Sequence, residues 1–468
     1  MRATTLSAAL FATVAALLAV TAAPADSDLF WHLASGDWML DHGRLLDHDV
    51  YSYTRTGAPY SVGQWLGQIA LALAFRWAAW PGVDVLRALL VGVATFAFAR
   101  IVLRVQPHVG WAALPILGTI LVSRMVWGDR PQLFTLALFA IVVDLLMAAR
   151  LEGRTRRLAI VPAIFLVWAN LHNAFVIGEV ALAVFTIEVF LEGSRAQRRA
   201  FGLTLLASVV LALLNPAGAG AFARAAAYGA LLANWIVEDR PLDMLSGAGL
   251  VLGSLLIVSL GAALARGRDG IAARLGAPLL WPGLIGPFSV LAIAIQRETP
   301  YACMLVAPFA AAMVPDALGR ARTVAPSVPR AAGAIVSAAL LAAAAALAIT
   351  SAPREPDLRA YPAGALTTLA ALHGNVLNEY DWGGYLIRFA PEHPTFIDGR
   401  GEALFVPDVL NDFGRMVQVR TGYRELLKQW DIRIALLRPD RALAGALRED
   451  GWLVRAEDGG RWVLLERP

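Results

Sequence analysis

The sequence predicts an all-α polytopic membrane bundle of about eleven transmembrane helices over residues 1–350, followed by a C-terminal soluble α/β domain over residues 351–468. Three observations carry this prediction. Of 468 residues, 58% are hydrophobic and only 16% charged, whereas soluble globular chains run near a quarter charged. The mean hydropathy is +0.59, and the apolar residues fall in long uninterrupted runs rather than in stripes, at the length needed to cross about 30 Å of hydrocarbon. After residue 350 the pattern changes to short apolar segments separated by charges. Inside a bilayer every backbone polar group must be satisfied internally, so the spans are expected to be helices.

Taken in order, the spans are read at 6–23, 84–104, 109–123, 131–149, 156–170, 174–192, 200–214, 245–265, 276–296, 301–316 and 331–350. Residues 1–23 also fit a secretory leader, since Met1-Arg2 is followed by an apolar core and Ala22-Ala23-Pro24-Ala25. The sequence pI of 9.4 does not point to nucleic acid, because the arginines cluster in short connections between apolar runs. Arg100 and Arg104, Arg150 to Arg157, Arg195 to Arg199, Arg266 to Arg274 and Arg320 to Arg330 mark those connections as cytoplasmic. The alternate connections then face outward, with the N-terminus inside and the C-terminal domain outside. The run 65–80 breaks this alternation and is expected to lie along the outer face, its Trp65, Trp77 and Trp80 suiting an interface. Cys303 is the single cysteine, so no internal disulfide forms.

The first outer connection, residues 24–62, holds six aspartates: Asp26, Asp28, Asp37, Asp41, Asp47 and Asp49. Helical spacing over 28–42 predicts a short amphipathic helix on the membrane surface, with Asp26, Ser27 or Asp28 available as its cap. Carboxylates at a membrane boundary also suit a general base or a divalent cation such as magnesium or manganese, for which Asp26 and Asp28 are the candidates. His32, one turn after Asp28, is a candidate to orient that carboxylate. Arg124, Arg130 and Arg297 stand at outer span ends, where a guanidinium either snorkels or reads a phosphate bidentately. His172, in the polar turn Asn170-Leu171-His172-Asn173, is a candidate substrate donor or acceptor. The long connection 216–243 is a candidate gating or acceptor loop.

In the C-terminal domain, GNVLNEY, PTFIDGR, IRIALLR, WLVRAED and GRWVLLER read as strands, with helices at 361–373, 382–389, 407–418, 421–430 and 441–449. Alternating strands and helices predict a small α/β sheet ending in a hairpin through Asp458-Gly459-Gly460. No phosphate loop, dinucleotide fingerprint or serine elbow occurs in it. Tyr380 and Asp381, and Asp398 and Arg400, form two polar clusters at element ends and are candidate substrate-binding groups; Asp381 also fits a helix cap, and Asp398 with Arg400 an ion pair.

An Asp-x-Asp just after the first span, followed by a surface helix, resembles the first outer loop of the GT-C glycosyltransferases. More closely, DSDLFWHLASGDWMLDHG, DVYSYTRTGAPY and QWLGQ resemble bacterial membrane proteins of that superfamily with a D-x-D-x-W-W-H-L loop. The resemblance continues through DRPQLFT, WANLHN, YDWGGYLI and FIDGR, and so covers most of the chain. It implies a hexosyl- or pentosyltransferase of the inner membrane that moves a sugar from a polyprenyl phosphate to an extracytoplasmic glycan or protein acceptor. It implies further that Asp28 or Asp26 is the catalytic carboxylate, acting on the acceptor hydroxyl directly or through a metal. Tyr380-Asp381-Trp382 resembles the tryptophan, aspartate and tyrosine motif of oligosaccharyltransferases, which implies acceptor binding there. The alternative from another class is a membrane protein that binds or transports a lipid-linked glycan without catalysing its transfer.

Overall fold

A computed structural model describes residues 3–23, 26–60, 63–223, 237–317 and 355–468, with isolated positions between 338 and 350. The predicted span 331–350 and much of the connection 216–243, including Tyr228 and Trp235, lie outside the described residues. The chain divides into two compact units, Met1–Ala22 with Asp84–Pro353 and Ala23–Val83 with Arg354–Pro468.

The first unit is helical. It contains α1 (Ala3–Val20), the second half of α3 (Trp65–Val105), α4 (Val109–Ser123), α5 (Gln132–Leu151), α6 (Val161–Leu171), α7 (Phe175–Glu192), α8 (Arg195–Ala212), α9 (Gly247–Leu275), α10 (Leu280–Ala294) and α11 (Thr299–Ala317). These follow the predicted spans closely, because the apolar runs leave the backbone no partner but itself. Four helices among the described residues are long and apolar enough to cross a membrane: Trp65–Val105, Val109–Val126, Gln132–Leu151 and Gly247–Leu275. The count of about eleven is not reached on that measure. Thr4–Val20 and Leu280–Ala294 are apolar but shorter, and other predicted spans carry acids or arginines within their length. One such acid, Glu188 in α7, is held by the Arg150 fork through two contacts of 2.6 Å. The interior is close-packed around Phe139, Phe165, Trp168, Phe175, Phe185 and Trp281, each fully buried.

α3 departs from helical geometry at Ala78 (φ −147°, ψ 25°) and Ala79 (φ 53°, ψ −138°), just before Pro81. Proline lacks an amide hydrogen and disfavours a helical residue before it, so the break falls where the sequence reading ends one helix and begins the next.

The second unit is built on a four-stranded mixed sheet in the order β1-β2-β4-β3, from β1 (Asn375–Asn378), β2 (Ile432–Leu437), β3 (Leu453–Asp458) and β4 (Trp462–Glu466). β1 and β2 are parallel, while β3 and β4 form the predicted hairpin through Asp458-Gly459-Gly460. The helices α13 (Gly383–Phe389), α15 (Asp408–Val417), α16 (Tyr423–Gln429) and α17 (Ala442–Glu449) match expectation, with the single turn α14 (Gly401–Leu404) between them. The helix expected over 361–373 is only a 3-10 turn, Ala363–Ala365, and one α turn, α12 (Leu366–Leu369). PTFIDGR is not a strand. Its backbone is taken up by side chains: Asn378 Oδ1 accepts from the Phe396 amide at 2.9 Å, Asn378 Nδ2 donates to the Ile397 carbonyl at 2.8 Å, and Thr54 Oγ1 donates to the Phe396 carbonyl at 2.8 Å.

The helix expected at the membrane surface is α2 (Ser27–His42), and it is a core element of this second unit. Leu29, Phe30, Trp31, His32, Leu33 and Met39 are all buried. Phe30 is fully buried, with edge contacts to Tyr361 (5.1 Å), Tyr385 (5.6 Å) and Trp80 (6.2 Å). Burying such a ring contributes roughly 2–3 kcal/mol, and each edge contact about 0.5–1.5 kcal/mol more. The amphipathic spacing is the same for a helix lying on lipid and one lying on protein; here the partner is protein. Asp37 and Asp41, one turn apart, share Arg76 at 2.6 Å each, and Asp37 also meets Arg388 at 2.5 Å.

Candidate active site

The N-terminus of α2 places the two candidate carboxylates differently. Asp26 is the N-cap: its backbone is extended (φ −69°, ψ 123°) and its Oδ1 accepts from the Asp28 amide at 3.0 Å. Asp28 sits in the first turn, half-buried, with Oδ1 accepting from the Trp31 indole N–H at 3.0 Å. The helix N-terminus and a directed N–H donor both favour the ionised carboxylate.

Two glycines of remote motifs close on this turn. A Cβ on Gly399 would stand 2.1 Å from Asp28 Oδ1 and 2.7 Å from Trp31 Nε1, and one on Gly384 would stand 2.6 Å from the Ser27 carbonyl. Only glycine permits that approach. The YDWGGY and FIDGR motifs thus meet the DSD motif, which lies some 350 residues earlier in the chain.

The polar residues around this junction are engaged with one another. Arg400 is fully buried and grips Asp398 through Nε (2.7 Å) and Nη2 (2.6 Å), and Asp49 through Nη1 (2.5 Å). Asp49 in turn accepts from the Tyr51 and Ser52 amides at 3.1 Å and from the Ser52 hydroxyl at 2.6 Å. Burial acts to lower the Arg400 pKa, but the Asp398 and Asp49 carboxylates overcome it and hold the guanidinium above its ordinary value. Asp398 and Arg400, expected to contact substrate, therefore spend their hydrogen bonds inside the protein as the buried ion pair. Asp381 does not cap a helix; it pairs with Arg438 at 2.8 Å, half exposed. Tyr380 opens the 3-10 turn Tyr380–Trp382, and its hydroxyl lies against Gly401. His32 packs in the core beside Trp31, their rings 3.7 Å apart, and its Nδ1 meets Gln68 Nε2 at 3.2 Å.

The first unit has a polar cluster of its own. His172 Nδ1 lies 2.9 Å from Thr135 Oγ1, which accepts from the Trp168 indole at 2.8 Å, and the Ala174 amide points at the same Nδ1 at 3.3 Å. A nitrogen receiving an amide N–H carries no proton itself, so the neutral ring is protonated at Nε2. Burial first, then the positive charges of Arg297 and Arg130, push the His172 pKa down to about 3, so the ring is neutral at physiological pH. Arg130 meets both Glu238 oxygens at 2.5 Å, and Arg297 meets Asp239 at 2.9 Å. The acids come from the 3-10 turn Val237–Asp239, not from the Asp129 and Glu298 neighbours alone; Asp129 instead faces Arg87 at 2.5 Å. Arg124 begins the 3-10 turn Arg124–Val126 and is exposed. Among the described residues no group of three or more His, Cys, Asp or Glu is arranged to hold a metal ion.

Sequence reasoning missed Trp31, Asp49 as the partner of Arg400, Gly399, and the buried Arg87 with Asp84 at 2.6 Å and Asp129. An isolated arginine at the head of an apolar run was the available signal for Arg87. Nothing local marks the other three.

A helical unit and a small sheet unit, with a carboxylate on the first helix turn after the first apolar helix, are similar in fold to solved membrane enzymes that handle lipid-linked sugars. The Archaeoglobus fulgidus oligosaccharyltransferase tethered to an acceptor peptide with an NVT sequon superposes with a TM-score of 0.54 at 10% identity, over 93% of this chain and 69% of that one. AglB of the same organism, in complex with an inhibitory peptide and a dolichol-phosphate, gives 0.55 at 12% identity over the same shares. ArnT from Cupriavidus metallidurans bound to undecaprenyl phosphate gives 0.51 at 14% identity, over 98% of this chain and 97% of that one. No protein-family model matches the chain, and no curated protein matches it.

Proposed function

We propose that the protein is a glycosyltransferase of the inner membrane that takes a hexose or pentose from a polyprenyl phosphate and transfers it to a glycan or protein acceptor outside the cytoplasm. The observation that carries this reading is Asp28, a carboxylate held in the first turn of α2 by Trp31 and Gly399 in a chain with the fold of lipid-linked sugar transferases. Asp28 takes the proton of the acceptor hydroxyl as its oxygen bonds to the anomeric carbon. The bond from that carbon to the phosphate oxygen breaks, and polyprenyl phosphate leaves with the electron pair. Asp26 serves as the cap that orders the turn. Within the first unit, Arg130 and Arg297 are the groups proposed to bind a lipid phosphate, exchanging Glu238 and Asp239 for it, with neutral His172 as a hydrogen-bonding neighbour. Tyr380 and Asp381, the latter half exposed, are assigned to the acceptor side.

The deciding experiment supplies purified protein with polyprenyl-phosphate sugars and follows release of polyprenyl phosphate together with sugar transfer. Binding of lipid with no transfer across the donor panel would favour the non-catalytic lipid-glycan binder instead. For the phosphate assignment, Arg130→Lys keeps the charge but loses the planar fork, so undecaprenyl phosphate affinity is expected to fall about tenfold, and Arg297→Lys likewise. Unchanged affinity in both variants would return the two arginines to structural pairing with Glu238 and Asp239. For orientation, reporter fusions after Arg157 and Arg199 are expected to be cytoplasmic and one at Arg354 outside. A cytoplasmic reporter at Arg354 would refute this topology.

A further inference from the structure

Resting on the assignment of Asp28 as the base, we propose that Trp31, Gly399 and the buried cluster of Asp49, Arg400 and Asp398 form one positioning device that fixes the Asp28 carboxylate for proton transfer. A carboxylate in the first turn of a helix turns about two side-chain bonds, and a base acts well only within a few tenths of an ångström of its productive place. Here one oxygen is pinned from within the helix by the indole of Trp31 at 3.0 Å. The indole has no freedom to follow: Trp31 is 4% exposed, and its ring lies 3.7 Å from that of His32, itself tied to Gln68.

The opposite wall is Gly399, where a methyl group would meet Asp28 Oδ1 at 2.1 Å. That wall is rigid because the residues on either side of Gly399 grip each other. The Arg400 amide donates to Asp398 Oδ1 at 3.0 Å, the guanidinium holds both Asp398 oxygens, and Thr395 Oγ1 reaches Asp398 at 3.3 Å. The remaining arm of Arg400 reaches Asp49, whose carboxylate is in turn held by the backbone and hydroxyl of the Tyr51-Ser52 turn. Rings of Tyr51, Tyr60 and Phe405 lie 5.0, 5.6 and 5.9 Å from the guanidinium carbon and complete its enclosure. A buried ion cluster of this kind is weak evidence for stability by itself. Its placement on both sides of Gly399, which abuts Asp28, gives it a reason to be charged: a forked arginine sets backbone geometry that an apolar cluster would leave loose. Trp31, Gly399 and Arg400 are thus positioning residues, acting through Asp28.

The test uses the full chain in detergent micelles with Gly399→Ala, Trp31→Phe and Asp28→Asn. Turnover is read as release of undecaprenyl phosphate from an undecaprenyl-phosphate hexose per folded molecule, beside the Kd for undecaprenyl phosphate and the melting temperature. Independently of any donor, the rate at which carbodiimide and an amine modify Asp28 is read by mass spectrometry. The positioning device predicts that turnover falls about a hundredfold in Gly399→Ala and about tenfold in Trp31→Phe at unchanged Kd. It also predicts that modification of Asp28 accelerates about tenfold in both, as the carboxylate swings out of its place. Trp31→Phe keeps an aromatic ring in the core, so it decides the matter even if Gly399→Ala does not accumulate. An unchanged modification rate in Trp31→Phe overturns the proposal. Full turnover in Asp28→Asn overturns instead the reading of Asp28 as the base, while the modification rates still judge whether the carboxylate is held.

Discussion

Asp28→Asn is expected to abolish sugar transfer, by roughly a hundredfold or more per folded molecule, while leaving the fold and the affinity for polyprenyl phosphate intact. The amide carbonyl still accepts the Trp31 indole N–H seen at 3.0 Å, so the turn keeps its geometry, but an amide does not take up a proton. The companion change Asp26→Ala separates catalysis from capping. Asp26 accepts the Asp28 amide at 3.0 Å as the N-cap of α2, and its loss is expected to cost about 1 kcal/mol of stability with near-normal turnover in the molecules that stay folded. Turnover and melting temperature, measured together in both variants, distinguish the two roles. Full activity in Asp28→Asn would turn the reading to the lipid-binding alternative.

Arg400→Ala is expected to destabilise the second unit by about 3–5 kcal/mol. The guanidinium is fully buried, as are Asp398 and Asp49, and removing it leaves two carboxylates enclosed with no cation between them. The second change Asp398→Asn, added to Arg400→Ala, removes one stranded charge and is expected to restore part of the loss, a coupling that marks the two as one unit. Denaturant or thermal melting in micelles measures it. A loss below about 1 kcal/mol in Arg400→Ala would mean that water or a shifted backbone relieves the two acids and that the cluster is not the rigid wall behind Gly399.

How much of this was legible in the sequence depends on whether the signal is local. The helices of the first unit were legible in place and order, α4 and α5 nearly to the residue and α9 only in its first two thirds, because apolar length alone decides that a segment is helical when no water is present to satisfy its backbone. The hairpin at Asp458-Gly459-Gly460 and the cap at the start of α2 were legible for a similar reason, since turn and cap chemistry is written in adjacent residues. Asp28 was picked out by its place after the first apolar run.

Period, length and nearest neighbours along the chain are enough to give the apolar helices, the small α/β domain and the candidate carboxylates. Only the tertiary structure decided what those elements touch. The 3.6-residue stripe of α2 promised an apolar partner without naming it, and the partner is the aromatic cluster of Tyr361 and Tyr385 rather than lipid. PTFIDGR has the composition of a strand, yet the side chains of Asn378 and Thr54 claim its backbone before a neighbouring strand can. Asp398 and Arg400 read equally as a substrate site or an ion pair until Asp49, from the other end of the chain, is found bonded to the same buried guanidinium. Hydrogen bonds and charges act over a few ångströms of space, and no periodicity along a chain records which residues, some 350 positions apart, will come within that reach.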